Sequence, residues 1–327
     1  MTDLTPAPYS KDYEITEAMF GAFRSGGGMR FFLILWAWAT ALFFILTILV
    51  LPVMGPAYME LMLLSAEATA NPGDAERISG ILVRVFLAVG LLSLGYFAVM
   101  SLVRAAFFRG YFNGEYGGNA PLRLGRGELN QFLAMLGYYG LYLLVTLGTV
   151  VVLGLAICLG TLAPGGAAMV FAVLLGVVGY IGMFVAMIWF LVRFLPAGAL
   201  TALRGKPHVL AASHVSRNRF WALFGAMLVA GLIAYVVTYT LMTIAMMLAF
   251  AELTGGDLAA LMTGLDPDAT QAALETMRDA SLFSPLSLLA VLLVSAGYGF
   301  YVLLIAGPPA FFTRQWSDAL NSPKEMG

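Results

Sequence analysis

Charge and cysteine are both scarce in this sequence. Only 11% of its 327 residues are Asp, Glu, Lys or Arg and 61% are hydrophobic, whereas a soluble domain has about a quarter of its residues charged. The single cysteine, Cys158, excludes an internal disulfide and a metal cluster built from cysteines. The net charge of -1 gives no support to nucleic acid binding. The composition therefore predicts an integral membrane protein.

The sequence also lacks the common motifs of an enzyme. It contains no Walker phosphate loop, no GxGxxG fingerprint, no HExxH and no GxSxG. The two histidines, His208 and His214, are six residues apart, whereas two ligands on one helix face would be three or four residues apart. The stretch Asp266-Pro267-Asp268 is typical of a helix start rather than of a cation site. We therefore expect no enzymatic activity, no cofactor and no metal site.

Long hydrophobic runs dominate the rest of the chain. Six of them are long enough for the roughly 20 helical residues that cross a bilayer. They cover approximately residues 31–54, 81–103, 132–158, 168–192, 220–248 and 285–307. Because every backbone polar group in lipid must be satisfied inside its own helix, these runs predict an all-α integral membrane protein. The predicted divisions are a cytoplasmic segment at 1–30, a six-helix transmembrane domain at 31–312 and a cytoplasmic tail at 313–327.

The distribution of basic residues predicts the orientation of these six spans. All of the 17 Lys and Arg residues except Arg77, Arg84 and Arg278 lie in the N-terminal segment, in the loops after the second and fourth spans, or in the tail. The positive-inside rule places such segments in the cytoplasm. Both termini are therefore predicted to be cytoplasmic.

Recurring stretches at the ends of the spans predict an internal repeat. The tripeptide LVR at 102–104 recurs at 191–193, and Gly- or Asn-containing turns that lead through arginine into phenylalanine precede each odd-numbered span. These turns are FRSGGGMRFF, LRLGRGELNQF and HVSRNRFW. We therefore expect three parallel, pseudo-repeated helical hairpins.

Two short segments have the pattern of amphipathic helices at the membrane interface. Apolar residues between Ile15 and Phe23 follow the spacing i, i+3, i+4, i+7, i+8. The stretch KPHVLAASHVS has Pro207 at a suitable first helical position. Both segments are predicted to lie along the inner surface of the membrane.

Two sets of residues are candidates for a functional site. The first would contact anionic lipid headgroups, and its alternative use is to fix topology alone; it consists of Arg30, Arg104, Arg126, Arg193, Arg217 and Arg219. The second would face a cavity, and it consists of Arg84, Tyr235, Thr238 and Tyr239. For Arg84 the alternative is snorkelling to the outer interface, and for the other three it is hydrogen bonding between helices.

Residues 211–225, AASHVSRNRFWALFG, carry a resemblance to a known group of proteins. In this stretch small residues run into a turn with arginine, followed by Phe220, Trp221 and apolar residues. The layout resembles bacterial six-span membrane proteins, namely YciC-like proteins and the membrane domain found beside some glycerophosphodiester phosphodiesterases. The resemblance covers most of the chain in layout and is specific over these fifteen residues. It transfers no catalytic residue and agrees with a multi-pass protein of a bacterial inner (plasma) membrane.

Two functions are compatible with these patterns. The first is a non-enzymatic accessory protein of the bacterial envelope that binds membrane lipids or other membrane proteins. The second is a transporter of a small solute or lipid, with a path between the hairpin repeats. A transporter would need a polar cavity near the middle of the membrane, so the surroundings of Tyr235, Thr238 and Tyr239 discriminate between the two functions.

Overall fold

The structure, a computed structural model, describes residues 17, 18, 23, 28–66, 74–162, 166–253 and 283–321. The helices within these ranges are α1 (Gly28–Ala66), α2 (Asp74–Asn113), α3 (Arg126–Leu162), α4 (Gly166–Phe194), α5 (Ala197–Arg204), α6 (Ala212–Ser216), α7 (Phe220–Leu253) and α8 (Pro285–Asn321). Six of these helices are long and apolar enough to cross a membrane. The prediction of an all-α, six-span membrane protein is therefore confirmed.

Helix α8 extends further than the hydrophobic run that predicts it. It continues through Pro308 and Pro309 to Asn321, although the predicted span ends near residue 307. Proline removes a backbone donor and usually ends or kinks a helix. Beyond the two prolines, however, Phe312 and Trp316 are buried on one face, one helical turn apart. This packing holds the last turns of the helix together where local sequence alone favours an end.

The predicted helix that starts at Pro207 is wrong in its bounds. Gly205, in the left-handed conformation, ends α5 and donates its N–H to the carbonyl of Thr201 at 2.8 Å. The backbone N–H of His208 then bonds to the hydroxyl of Thr201 at 3.2 Å, which turns the chain back on the end of α5. The helix itself is the five-residue α6, which begins only at Ala212.

Two other predicted features lie mainly outside the described residues. Only Glu17, Ala18 and Phe23 are described in the segment predicted as an amphipathic helix. The stretch at 266–268, predicted as a helix start, lies entirely outside. Both stay predictions.

The chain divides into two compact units. We call the first the basic unit, which comprises Met1–Gly28, Arg104–Ala230 and Ala306–Gly327. We call the second the four-helix unit, which comprises Met29–Val103 and Gly231–Ile305. Helices α2, α7 and α8 are each divided between the two units, with one part of the helix in each unit.

Two antiparallel helix pairs form the four-helix unit. In the pair α1 and α2, the hydroxyls of Thr47 and Tyr96 lie 2.9 Å apart and share a hydrogen bond. In the pair α7 and α8, the hydroxyl of Thr238 donates to the carbonyl of Gly297 at 3.0 Å. Hydrogen bonds of this kind hold helices together in lipid, where apolar burial supplies little driving force. These contacts agree with the first and third predicted hairpins, while the repeat itself stays a prediction.

Helices α1 and α8 also contact each other within the four-helix unit. The indole N–H of Trp36 donates to the carbonyl of Ala296 at 2.8 Å. The ring of Phe300 packs edge-on against Trp36, with ring centroids 6.3 Å apart. The first and third hairpins are thereby joined through α1 and α8.

Trp36→Phe is expected to weaken this contact by about 1 kcal/mol, because the ring packing is kept while the Ala296 carbonyl loses its indole donor. The measurement is the thermal unfolding midpoint of the purified protein in detergent. Trp221→Phe is the matched control, since Trp221 is 77% exposed. Equal midpoints for the two variants would contradict the importance of the hydrogen bond.

Within the basic unit, α3 and α4 form the second antiparallel hairpin. A Cβ atom placed at Gly179 would lie 2.9 Å from the side chain of Val152, so these two helices approach closely at that glycine. Nearer the other end of the hairpin, the rings of Tyr138 and Phe190 pack with centroids 5.5 Å apart. Close approach of two helices at a small residue is typical of helix packing in membranes.

Candidate anion-binding site

Positive charge is in excess within the basic unit. In its ranges 104–230 and 306–321, the acidic residues are Glu115, Glu128 and Asp318. The basic residues in the same ranges are Arg104, Arg109, Arg123, Arg126, Arg193, Arg204, Lys206, Arg217, Arg219 and Arg314. Within these two ranges the cations therefore outnumber the carboxylates.

Two of the three acids are used to hold the loop between α2 and α3. Arg109 forms an ion pair with Glu128 and donates to the carbonyl of Pro121 at 2.7 Å. Arg123 lies 3.4 Å from Glu115. The side chains of Arg109 and Glu128 are only 16% and 9% exposed, so this pair is structural and unavailable to a ligand.

Aromatic rings support two further cations. The guanidinium carbon of Arg204 lies 5.2 Å from the ring centroid of Trp316, and that of Arg314 lies 5.8 Å from the ring of Tyr111. Both arginines are exposed. A cation over an aromatic face keeps its charge available to solvent or headgroups while its position is restrained.

The arginines of the SRNRFW turn occupy different environments. Arg219 is 8% exposed, donates to the side-chain oxygen of Gln315 and lies over the ring of Phe312. Arg217, two residues earlier, is exposed. Of these two predicted headgroup contacts, only Arg217 presents its charge at the surface of the protein.

Arg217 lies beside a second cation, Arg193, at the end of α4. The hydroxyl of Ser216 donates to the backbone carbonyl of Arg193 at 2.9 Å, which ties the end of α6 to the end of α4. The charge of Arg217 acts repulsively on Arg193. The guanidinium carbon of Arg193 lies 5.9 Å from the ring centroid of Trp189, which is 51% exposed.

We call Arg193 and Arg217 the arginine pair. Neither side chain forms an ion pair within the part of the chain that the structure describes. The hydrogen bond from Ser216 to the Arg193 carbonyl keeps the two segments together, the like charges repel each other, and a bound anion removes that repulsion. Guanidinium groups also donate paired hydrogen bonds that match the oxygens of a phosphate. The arginine pair therefore has the chemistry of a phosphate site.

The other predicted headgroup contacts are dispersed. Arg30 and Arg126 are exposed, and Arg104 is partly buried. Arg84, predicted to face a cavity, is exposed and forms an ion pair with Glu60 at 3.3 Å.

The polar residues of α7 do not share one environment. Tyr235 and Tyr239 stack on each other with ring centroids 5.6 Å apart, and both are more than half exposed. Thr238 instead bonds to Gly297 across the helix pair. Thr238 therefore forms an interhelical hydrogen bond, whereas the two tyrosines lie on the exposed surface of α7.

Sequence reasoning overlooked Trp189 and Gln131. Trp189 precedes Arg193 by four residues, and side chains at that spacing are neighbours on a helix. The contact between Trp189 and Arg193 could therefore have been predicted from the sequence. Gln131 is a polar residue directly before the third hydrophobic run. Its almost complete burial depends on neighbours distant in sequence and had no local signal.

No protein-family model, curated protein or solved structure matches this chain. The resemblance to YciC-like proteins therefore stays a prediction. Within the described residues, no three His, Cys, Asp or Glu side chains are grouped as metal ligands would be. Function has to be inferred from the geometry of the basic unit.

Proposed function

We propose that this multi-pass membrane protein is a non-enzymatic accessory protein of a bacterial inner membrane that binds anionic phospholipid headgroups on the cytoplasmic side. The observation that carries the proposal is the arginine pair: two adjacent cations, without an acidic partner among the described residues, beside a half-exposed tryptophan. A phospholipid has the complementary groups, because its anionic phosphate lies next to its apolar acyl chains.

The surroundings of the arginine pair favour a lipid over a soluble anion. Only 6% of the most apolar stretch of α4 is buried within the protein, against 44% for α8. Helix α4, which has Arg193 in its last turn, therefore exposes apolar side chains that lipid tails would contact. Tryptophan is enriched at the level of the headgroups, where its ring is half in the apolar region. A phosphate at the arginine pair would be at the same level.

The excess charge of the basic unit would add a less specific attraction. Each basic residue near an anionic membrane surface contributes about 1 kcal/mol. The exposed cations Arg126, Arg204 and Arg314 would act in this way. They would also attract acidic segments of other membrane proteins, which are the second class of partner that we expect.

Arg217→Gln is expected to weaken the binding of phosphatidylglycerol about fivefold, because one basic contact contributes about 1 kcal/mol. The measurement is a lipid titration of the detergent-purified protein, with bound lipid counted by native mass spectrometry. Arg123→Gln is the matched control, because Arg123 is also exposed and its substitution removes the same charge. Equal losses in the two variants, or no loss in Arg217→Gln, would contradict a headgroup site at the arginine pair.

The transporter alternative gains no support from α7. Its predicted path needs Tyr235, Thr238 and Tyr239 around a common cavity, whereas the tyrosines are exposed and Thr238 is bonded to Gly297. We therefore propose the lipid-binding function rather than transport.

A further inference from the structure

A small, partly open pocket lies within the basic unit, and neither residue of the arginine pair lines it. Its volume is about 20 Å³, which is enough for a single group of the size of a water molecule. Aromatic side chains form much of its wall, among them Phe108, Tyr138 and Phe194. Arg104 provides a charged side of the same pocket.

Arg104 has no acidic partner among the described residues. Its Nε atom is buried and has no hydrogen-bond partner in the same part of the chain. Within the described residues, Arg104 also forms no ion pair, in contrast to Arg109 on the same helix, which has Glu128. Arg104 as a whole is only partly buried, but removing water from its Nε atom without supplying a hydrogen-bond acceptor is unfavourable.

Gln131 is a second unpartnered group next to this pocket. Its side chain is 1% exposed, and neither its Nε2 nor its Oε1 atom has a hydrogen-bond partner among the residues that the structure describes. It precedes the lining residues Ala134 and Met135 by one turn of α3, so it lies on the helix face that forms the wall. Buried amides in native proteins nearly always have partners, and an exception calls for an occupant.

Gly198 makes room for this amide. It lines the pocket, and a Cβ atom at that position would overlap the Nε2 atom of Gln131 and lie 3.2 Å from the ring of Phe108. The absence of a side chain at Gly198 thus allows the amide to sit directly at the pocket wall. The amide of Gln131 on α3 thus lies against Gly198, which lines the same pocket as Arg104 on α2.

Size and charge together restrict what this space can hold. The volume is too small to enclose a phosphate or a lipid headgroup, each of which has several heavy atoms. A water molecule would fit, but it is neutral and leaves the charge of Arg104 uncompensated. A monatomic anion fits the volume, balances the charge and accepts hydrogen bonds from both groups.

We propose that this pocket binds a single halide-sized monovalent anion, held by the guanidinium of Arg104 and the amide NH2 of Gln131. The bound anion stabilises the packing of α2, α3 and α5 within the basic unit. This site is independent of the proposed headgroup site, since Arg193 and Arg217 are not among the pocket residues. Failure of one proposal therefore leaves the other intact.

The test is the thermal unfolding midpoint of the whole purified protein in detergent, with chloride replacing gluconate at constant ionic strength. A ligand present at ten times its dissociation constant is expected to raise the midpoint by about 3 °C, and the increase saturates. Arg104→Gln is expected to abolish the dependence on chloride, while Arg123→Gln retains it. A midpoint of the unaltered protein that does not respond to chloride would overturn the proposal and favour a water molecule.

A second measurement does not depend on the folding of the Arg104 variant. Binding to the protein broadens the 35Cl resonance of chloride in solution. We expect Gln131→Leu, which replaces the amide by an apolar side chain of similar volume, to fold and to reduce this broadening at least threefold. Unchanged broadening in Gln131→Leu would show that chloride binds at surface cations instead, and the proposal would be wrong.

Discussion

Arg109→Met is expected to destabilise the protein by about 3–5 kcal/mol, the usual cost of removing one partner from a buried ion pair. The carboxylate of Glu128, with a side chain only 9% exposed, would lose its counter-charge. The carbonyl of Pro121 would lose a donor at the same time. The loop from α2 to α3 is therefore expected to loosen. The measurement is unfolding of the purified protein in mixed micelles of increasing denaturing detergent.

A double substitution distinguishes the loss of a pair from the loss of a positive charge. Arg109→Met together with Glu128→Met is expected to recover most of the stability, because two apolar side chains leave no charge buried. Arg123→Gln, at an exposed pair, should change the unfolding free energy by less than about 1 kcal/mol. A single Arg109→Met variant as stable as the unaltered protein would contradict the structural role of this pair.

Gly297→Leu is expected to cost about 3 kcal/mol, because overpacking a tight contact forces the backbones apart. A Cβ atom at Gly297 would lie 3.1 Å from Cγ2 and 3.2 Å from Cα of Thr238. The Cα atom belongs to the backbone of α7 and cannot rotate away. Separation of the two helices would also break the hydrogen bond from Thr238 to the Gly297 carbonyl.

Gly90→Leu is the matched control for this substitution. Gly90 is a helical glycine of the same unit with no atom within 4 Å of a Cβ at its position. It should therefore accept leucine with little change in the unfolding midpoint. If Gly297→Leu unfolds at the same midpoint as Gly90→Leu, the close approach of α7 and α8 is not what holds this pair together.

The number and type of helices could be predicted from the sequence, because each span is a continuous apolar run. The ends of the helices could not. Asp74 begins α2 several residues before its apolar run, and α8 continues past Pro309, since turns outside the hydrocarbon need no continuous apolar sequence. Packing of neighbours such as Trp316 determines how far those turns persist.

The basic character of the candidate site could also be predicted from the sequence. Which arginines are exposed and which are buried or bonded could not. Arg217 and Arg219 are two residues apart in one turn, yet one is exposed and the other is bonded to Gln315, 96 residues away. The same holds for Arg104, whose pocket is lined by residues of α2, α3, α4, α5 and α8. Contacts between distant segments decide which charge is available, and a single sequence carries little information about them.

The proposed lipid-binding function is tested most directly by the lipids that surround the protein when it is extracted from its membrane in a polymer nanodisc. We expect the anionic share of these lipids to exceed that of the bulk membrane for the unaltered protein. The share is expected to fall most of the way towards the bulk value when Arg193 and Arg217 are both replaced by glutamine, since the other exposed cations of the basic unit remain. An unaltered protein whose nanodisc has the same anionic share as the bulk membrane would contradict the proposed function.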